Sequence, residues 1–123
     1  MILIIGGAFQ GKASYVKEKY GLKEADFYDA EIPLNPAGRI AINHLHEYIK
    51  KRMKEGGNPE EEILDFINKS DCILICDEIG NGIVPLDSFE REWREKTGRI
   101  LIQVAAKAES VERVICGIAQ KIK

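Results

Sequence analysis

The chain lacks a charge excess of either sign, and it lacks a long apolar run. Its 123 residues carry a formal net charge of -2 with both signs interspersed, whereas a nucleic-acid-binding protein needs a basic face to displace counterions from phosphates. The apolar run Met1–Ile5 is shorter than a signal-peptide core, and no apolar stretch approaches membrane-spanning length. These absences predict a soluble cytoplasmic protein that binds neither nucleic acid nor a membrane.

Cysteine is also scarce. Cys72, Cys76 and Cys116 lie in apolar runs, and their odd number and their spacing suit neither a disulfide framework nor a zinc site. Each is predicted to be a reduced core residue. With an apolar share of 45%, a chain of this length can bury one core, so residues 1–123 are predicted to form a single domain.

The first part of the chain alternates strand and helix signals. Ile2–Ile5 is a β-branched run that stops at a glycine pair, as a buried parallel strand does before a tight turn. Lys12–Tyr20 has helical spacing, and Gly21 follows it as a left-handed cap. Asp26–Asp29 is compatible with a short strand, and Ala30–Gly38, with its two prolines, is typical of a loop.

The remainder of the chain gives two helix signals, followed by a strand, a helix and a strand. Apolar residues recur at helical spacing over Arg39–Lys54, and an asparagine-proline pair with three glutamates predicts a second helix, Asn58–Lys69. Cys72–Cys76 is an unbroken apolar strand that leads into the loop IGNGIVP. One long helix is predicted over Ser88–Lys107, although ILIQVA within it has strand character, and Val111–Cys116 is predicted to be the last strand. Alternating strands and helices predict a mostly parallel sheet with helices on its faces.

The string GGAFQGK fits the phosphate-binding pattern GxxxxGK and lies between a strand and a helix, as that pattern requires. Its glycines let successive backbone N–H groups turn towards a phosphate, and the lysine ammonium reaches the β and γ oxygens. The alternative is a glycine turn that binds nothing. The predicted nucleotide-binding residues are Gly6, Gly7, Ala8, Phe9, Gln10, Gly11, Lys12, Ala13 and Ser14.

Two features bear on a magnesium ion. The pattern normally ends in Ser or Thr, whose hydroxyl binds the metal, but Ala13 stands there and Ser14 comes one position late. Asp77 and Glu78 follow the apolar strand Cys72–Cys76, where parallel α/β sheets place their ligands, and are the candidate Mg²⁺ ligands. The alternative is a solvated strand end.

DEIGNGIVPLDSFEREWREKTGRI and ERVICGIAQKIK resemble the C-terminal half of the bifunctional adenosylcobinamide kinase and adenosylcobinamide-phosphate guanylyltransferase family. The resemblance covers the phosphate loop and Ile73–Lys123; its distinctive features are EIGNGIVP, Arg94, Gly98-Arg99 and the GIxxKIK string Gly117–Lys123. It implies a three-layer, RecA-like P-loop NTPase fold, a homotrimer, ATP or GTP and a corrinoid as substrates, and Mg²⁺. The implied reactions are phosphorylation of the aminopropanol hydroxyl of adenosylcobinamide and GMP transfer from GTP.

In this family GMP passes through a histidine, carried on the helix after the second strand and followed four residues later by arginine. The matching helix here contains His44 and His46. His46 has Lys50 four residues on, whereas His44 has Tyr48, so the resemblance favours His46 as the guanylylated residue and keeps His44 as the alternative. With Lys12, these form the predicted catalytic set; alternatively both histidines lie on a helix surface without chemistry.

The chain departs from the family pattern in its middle and at single positions. The family carries an additional strand ending in an acidic residue, for which the sequence suggests no counterpart, and Asp77 stands where the family usually has asparagine. Asp77 is therefore expected to supply the missing charge from a neighbouring strand. Leu101-Ile102 replaces an Asn-Gln pair.

Three functions remain open from the sequence. The first is a compact enzyme performing one or both reactions. The second is a nucleotide-binding regulatory protein without chemistry, which Ala13 favours. The third is a structural subunit with a vestigial loop, in which Phe89 and Trp93 serve an oligomer interface; both are more simply predicted to be core residues.

Overall fold

The computed structural model describes residues 1–79 and 87–123. Its strands are β1 (Ile2–Gly6), β2 (Phe27–Asp29), β3 (Ile40–Asn43), β4 (Cys72–Asp77), β5 (Ser110–Ile115) and β6 (Ile118–Lys121). Its helices are α1 (Lys12–Tyr20), α2 (Leu45–Lys54), α3 (Pro59–Lys69) and α4 (Ser88–Lys107).

The strands form one sheet in the order β2-β3-β4-β1-β5-β6. β1 lies in the centre, parallel to β4 and β5, and β3 is parallel to both β2 and β4. Among the strands of the described residues, β6 alone pairs antiparallel, with β5. Parallel strands place their carboxyl ends along one edge, so Gly6 at the end of β1 lies opposite Asp77 at the end of β4.

The sheet buries both of its faces. Ile2 and Ile4 of β1 pack with Val16 of α1 on one face, while Leu3 packs on the other face in the cluster that contains Leu45 of α2 and side chains of α3 and α4. Alternate residues of a strand point to opposite faces, so one apolar strand serves two layers of helices. The fold is therefore the three-layer α/β arrangement of P-loop NTPases that the sequence predicts.

The long helix α4 is confirmed at its predicted bounds. It begins where the Asp87 side chain accepts hydrogen bonds from the N–H groups of Phe89 and Glu90. Trp93 is buried and Phe89 is half-buried against the core, as predicted. Among the described helices, α4 included, none has the length and apolar character needed to cross a bilayer.

The helix predicted over Arg39–Lys54 is wrong in its first part. Residues Ile40–Asn43 form strand β3, and α2 begins only at Leu45. Ile40, Ala41 and Ile42 are all almost completely buried between β2 and β4, and a β-branched run buried on both faces favours a strand. The sequence analysis thus missed strand β3. This strand ends in the amide of Asn43 rather than in a carboxylate.

Two further predictions near the C-terminus need correction. Strand β5 is not the last strand, because the chain reverses at Cys116-Gly117 into β6. Cys116 is exposed rather than a core residue, whereas Cys72 and Cys76 are buried and reduced as predicted. The loop predicted from IGNGIVP lies, apart from Ile79, outside the described residues.

Candidate active site

The loop between β1 and α1 needs its glycines for steric reasons. A Cβ on Gly6 would lie 2.5 Å from the Val114 carbonyl oxygen, so no larger residue fits there. Gly11, at the start of α1, has φ 84, a conformation that glycine adopts without strain. A Cβ on Gly11 would also lie 3.4 Å from Cα of Gly117. The loop is therefore packed against the turn between β5 and β6.

Hydrogen bonds hold the same contact. The backbone carbonyl of Gln10 accepts a bond of 2.8 Å from the N–H of Gly117. The Gln10 side-chain oxygen accepts a second bond, of 2.6 Å, from the N–H of Cys116. The β5–β6 turn thus braces the middle of the phosphate loop, a role that sequence reasoning had not given to Gln10.

Backbone strain concentrates at this edge of the sheet. Within residues 1–79 and 87–123, the non-glycine residues with positive φ are Phe9, Ala30, His44 and Cys116. They follow the carboxyl ends of β1, β2, β3 and β5, respectively. Such conformations disfavour side chains with a Cβ, and they cluster at functional sites. Phe9 is also fully exposed at the tip of the loop.

A cleft of about 250 Å³ opens at this edge. It brings together seven of the nine predicted loop residues with three residues from the ends of β3 and β4. Gly6 and Gly7 lie at the base of the loop and do not line it. Its lining consists of Ala8, Phe9, Gln10, Gly11, Lys12, Ala13, Ser14, Asn43, His44 and Asp77.

Lys12 is buried and doubly paired. Its Nζ donates a hydrogen bond of 2.6 Å to the Gly7 carbonyl oxygen and lies 2.7 Å from Oδ1 of Asp77. The Lys12 side chain is 7% exposed and that of Asp77 is 19% exposed. In this structure the loop lysine is thus held by protein oxygens at the wall of the cleft.

His46 is buried in the first turn of α2 and does not line the cleft. Its Nδ1 accepts a hydrogen bond of 3.1 Å from the backbone N–H of Asp77, and its Nε2 lies 3.3 Å from Oδ2 of the same residue. Burial lowers the pKa of His46, and the nearby carboxylates of Asp77 and Glu47 only partly oppose that shift. His46 is therefore a neutral, enclosed imidazole.

His44 has the opposite environment. It lines the cleft at the end of β3, and its Nδ1 is hydrogen-bonded to Oδ1 of Asp29. The side chain is 46% exposed. Parallel pairing of β2 with β3 places Asp29 opposite Asn43, directly before His44. An imidazole whose Nδ1 is engaged by a carboxylate carries its lone pair on Nε2, the arrangement of a histidine nucleophile or base.

The candidate magnesium ligands differ from one another. Glu78 is held by the Arg113 guanidinium, 2.8 Å from its Nε, so its carboxylate is already engaged. Asp77 faces the cleft, where Asn43 and Ser14 supply further oxygen atoms. In the part of the chain that the structure describes, no three His, Cys, Asp or Glu side chains form a metal cage. The oxygen donors fit a Mg²⁺ ion shared with substrate phosphates, which needs only one or two protein ligands.

Sequence reasoning missed Asp29 and Asn43. Both lie at the carboxyl end of a strand, which is the signal that could have found them. Asn43 was missed because the sequence analysis predicts a helix over Arg39–Lys54, which includes β3. The contact between Asp29 and His44 depends on strand pairing across a 15-residue separation, which single-sequence periodicity does not specify.

The sheet, the loop and the cleft define an α/β protein of the P-loop NTPase type. Residues 34–122 match the family model described as cobinamide kinase / cobinamide phosphate guanyltransferase, and the chain belongs to that family. The matched range begins after the phosphate loop, so the loop is supported by its own sequence and geometry.

Two relatives are bifunctional adenosylcobalamin biosynthesis proteins CobU. That of Escherichia coli K12 is 43% identical over 51 residues, which are 42% of this chain and 28% of the relative. That of Salmonella typhimurium is 41% identical over 51 residues, with the same 42% and 28% coverage. The aligned segment thus spans less than a third of either relative.

Proposed function

We propose that this protein is a nucleotide-dependent enzyme of cobalamin biosynthesis that phosphorylates adenosylcobinamide, transfers GMP from GTP to adenosylcobinamide phosphate, or does both. Family membership supports the substrate class. The observation that carries the chemistry is that His44 lines one cleft with the phosphate loop and is hydrogen-bonded to Asp29.

The loop is suited to a triphosphate. Its backbone N–H groups and the N-terminus of α1 offer hydrogen bonds and partial positive charge to the phosphates. Lys12 supplies the full charge once it exchanges the Gly7 carbonyl and Asp77 for phosphate oxygens. A Mg²⁺ ion bound with Asp77 would neutralise phosphate charge, and Asp77 is free for that role when Lys12 has moved.

Guanylyl transfer needs a nucleophile that reaches the α-phosphorus of GTP. We assign this role to His44, the alternative from the sequence, because it lines the cleft whereas His46 is buried and engaged at both ring nitrogens. The lone pair on Nε2 of His44 forms the N–P bond, and the bond from the α-phosphorus to the pyrophosphate oxygen breaks. Asp29 keeps Nδ1–H hydrogen-bonded and stabilises the charge that forms on the ring. An oxygen of adenosylcobinamide phosphate then displaces the imidazole.

The test is incubation with α-labelled GTP and Mg²⁺ followed by a denaturing gel. The wild type should acquire an acid-labile label that His44→Asn abolishes, because asparagine tolerates the left-handed backbone at this position but cannot form the phosphoramidate. Asp29→Asn should slow labelling, and His46→Asn should still be labelled. Label on His46 alone would overturn the assignment.

Kinase activity is measured separately, with γ-labelled ATP and adenosylcobinamide. His44→Asn should retain it if His44 serves only GMP transfer, so the two activities are separable in one variant. Wild-type protein that transfers neither group, under conditions where nucleotide binds, would contradict the enzymatic proposal.

A second function is favoured by one observation. Ala13 lines the cleft where the phosphate-loop pattern has a metal-binding hydroxyl. A regulatory protein of corrinoid metabolism that binds nucleotide without transferring any group would need no such hydroxyl. Tight binding with no label and no phosphorylated corrinoid would establish this alternative.

Several expectations from the sequence remain predictions. These are the homotrimer, the single-domain organisation, the cytoplasmic location, and the lack of nucleic-acid and membrane partners. The nucleotide-binding role of Phe9, at the exposed tip of the loop, also remains a prediction.

A further inference from the structure

His46 is a buried titratable side chain that the proposed chemistry does not use. We propose that His46 is a positioning residue, which fixes the carboxylate of Asp77 at the wall of the cleft and so sets where Lys12 rests before nucleotide binds. This inference builds on the proposed function, since its consequence is felt at the phosphate site.

The imidazole contacts Asp77 with both nitrogens. Nδ1 accepts the backbone N–H of Asp77 at 3.1 Å, and a nitrogen that accepts carries no proton. The neutral ring therefore has its proton on Nε2, which lies 3.3 Å from Oδ2 of Asp77. One ring thus holds both the backbone and the side chain of a single residue at the end of β4.

The remaining carboxylate oxygen is the one that Lys12 uses. Oδ1 of Asp77 lies 2.7 Å from Nζ of Lys12, whereas the histidine contact is at Oδ2. His46, Asp77 and Lys12 therefore form a continuous polar chain from α2 through β4 to the phosphate loop. The orientation of the carboxylate is set by His46 and is retained when Lys12 moves to phosphate oxygens.

The backbone of His46 is also held by α4. Nε1 of Trp93 on α4 donates a hydrogen bond of 2.8 Å to the backbone carbonyl of His46, and the two rings lie 6.4 Å apart. The His46 residue is only 4% exposed. A buried side chain orients its neighbour more tightly than a solvated one, and it is poorly placed to accept a nucleotidyl group.

The first test measures how strongly Mg²⁺ increases affinity for a fluorescent GTP analogue. His46→Leu should reduce that increase about tenfold, the usual cost of losing a partner that orients a metal-binding side chain. Asp77→Asn should reduce it similarly, and the double variant should lose no more than Asp77→Asn alone. His46→Gln, which keeps an amide N–H for Oδ2, should recover part of the loss.

A matched control is Tyr48→Phe, which removes a hydrogen bond from a buried residue of the same helix to Glu62, away from Asp77. It should lower the free energy of unfolding but leave the Mg²⁺ effect unchanged. If His46→Leu has the same effect in the Asp77→Asn background as in the wild type, His46 has a merely structural role and the inference is wrong.

A second test does not need nucleotide. Long-range ¹H–¹⁵N spectra of the wild type should show the ring of His46 neutral, protonated at Nε2 and accepting at Nδ1. The opposite tautomer, or a charged ring at neutral pH, would overturn the inference even if the protein binds GTP. Failure of the wild type to bind any nucleotide would instead contradict the proposed function. The tautomer of His46 would then still test whether the ring holds Asp77.

Discussion

The two ends of α1 each pair a lysine with a carboxylate on a strand, but the pairs border different surfaces. Lys12 and Asp77 line the cleft among the strand ends, whereas Lys19 borders a separate hollow with Tyr15 and Glu18. At the C-terminal end, Lys19 is hydrogen-bonded to Glu112 of β5. At the N-terminal end, Lys12 is paired with Asp77 of β4. The same kind of ion pair thus occurs at both ends of one helix. A difference in role between the two pairs must therefore come from their surroundings.

Glu112 itself is enclosed, although its partner Lys19 is partly exposed. Glu112 is 3% exposed, and it accepts hydrogen bonds of 2.8 Å from both Tyr15 and Tyr20 in addition to Lys19. Burial alone would raise the pKa of Glu112, but these three hydrogen bonds together hold it below its usual range. The carboxylate is fully used by the fold, and its role is to anchor α1 to the sheet.

The Asp77 pair lies beside the phosphate loop. It faces a cleft of about 250 Å³, among strand ends where strained residues such as His44 occur. A pair of lysine and carboxylate does not by itself mark a functional site, so we propose the nucleotide site from the cleft among the strand ends and the strained backbone beside Asp77. Four predictions sharpen this contrast, in order of decreasing effect.

Lys12→Met should weaken nucleotide binding by about 100-fold, because a charged group's hydrogen bonds to phosphate are worth roughly 1.5–3 kcal/mol. Calorimetric titration with GTP and ATP measures this loss. Lys19→Met is the matched control at the other end of α1 and should bind nucleotide like the wild type. Equal losses in both variants would abolish the distinction between the two pairs.

Glu112→Gln should lower the free energy of unfolding by about 2 kcal/mol at pH 7, because it weakens hydrogen bonds to a buried charge. Urea denaturation checks the value. Nucleotide affinity should not change, since Glu112 does not line the cleft. A large change in affinity without a change in stability would contradict the anchoring role.

The stability difference between wild type and Glu112→Gln should narrow in acid. The folded-state pKa of Glu112 lies below its ordinary value of 4.5, so its contribution is fully present above pH 4.5 and is lost as pH falls through the folded-state pKa. Urea titrations of both proteins from pH 7 to about pH 3 measure the gap. A stability difference that widens in acid would mean that folding raises the pKa of Glu112 rather than lowering it.

The smallest effect is expected for the stability of Lys19→Met. The side chain of Lys19 is 46% exposed, and ion pairs with a solvated partner contribute about 1 kcal/mol or less. Glu112 keeps both tyrosine hydroxyls in this variant. A loss of unfolding free energy as large as that of Glu112→Gln would mean that Lys19, rather than the tyrosines, anchors α1 to the sheet.

The sequence predicted the parts of the molecule that depend on local signals. The phosphate loop and α1 follow from glycines, a lysine and helical spacing within residues 6–20, and α4 occurs at its predicted bounds. Strand β3 was missed because the apolar spacing of residues 39–54 also fits a helix, and only burial between β2 and β4 decides for a strand.

The sequence predicted several residues of the candidate site but not which of them contact one another. Asp77 was found because it ends an apolar strand, whereas its contacts with Lys12 and His46 depend on how β1, β4 and α2 pack. The two histidines are separated by one residue and were nearly equivalent in the sequence. Their different burial arises because His44 precedes α2 in a left-handed conformation while His46 lies within the helix.

The measurement that tests the account most directly is a ¹H–¹⁵N titration of the wild type with GTP and Mg²⁺. The predicted result is large shifts for the N–H groups of residues 7–14, His44 and Asp77, with those around Glu112 unchanged. Shifts centred on Glu112, or no saturable shifts at residues 7–14, would contradict the claim that the N-terminal end of α1 is the nucleotide site.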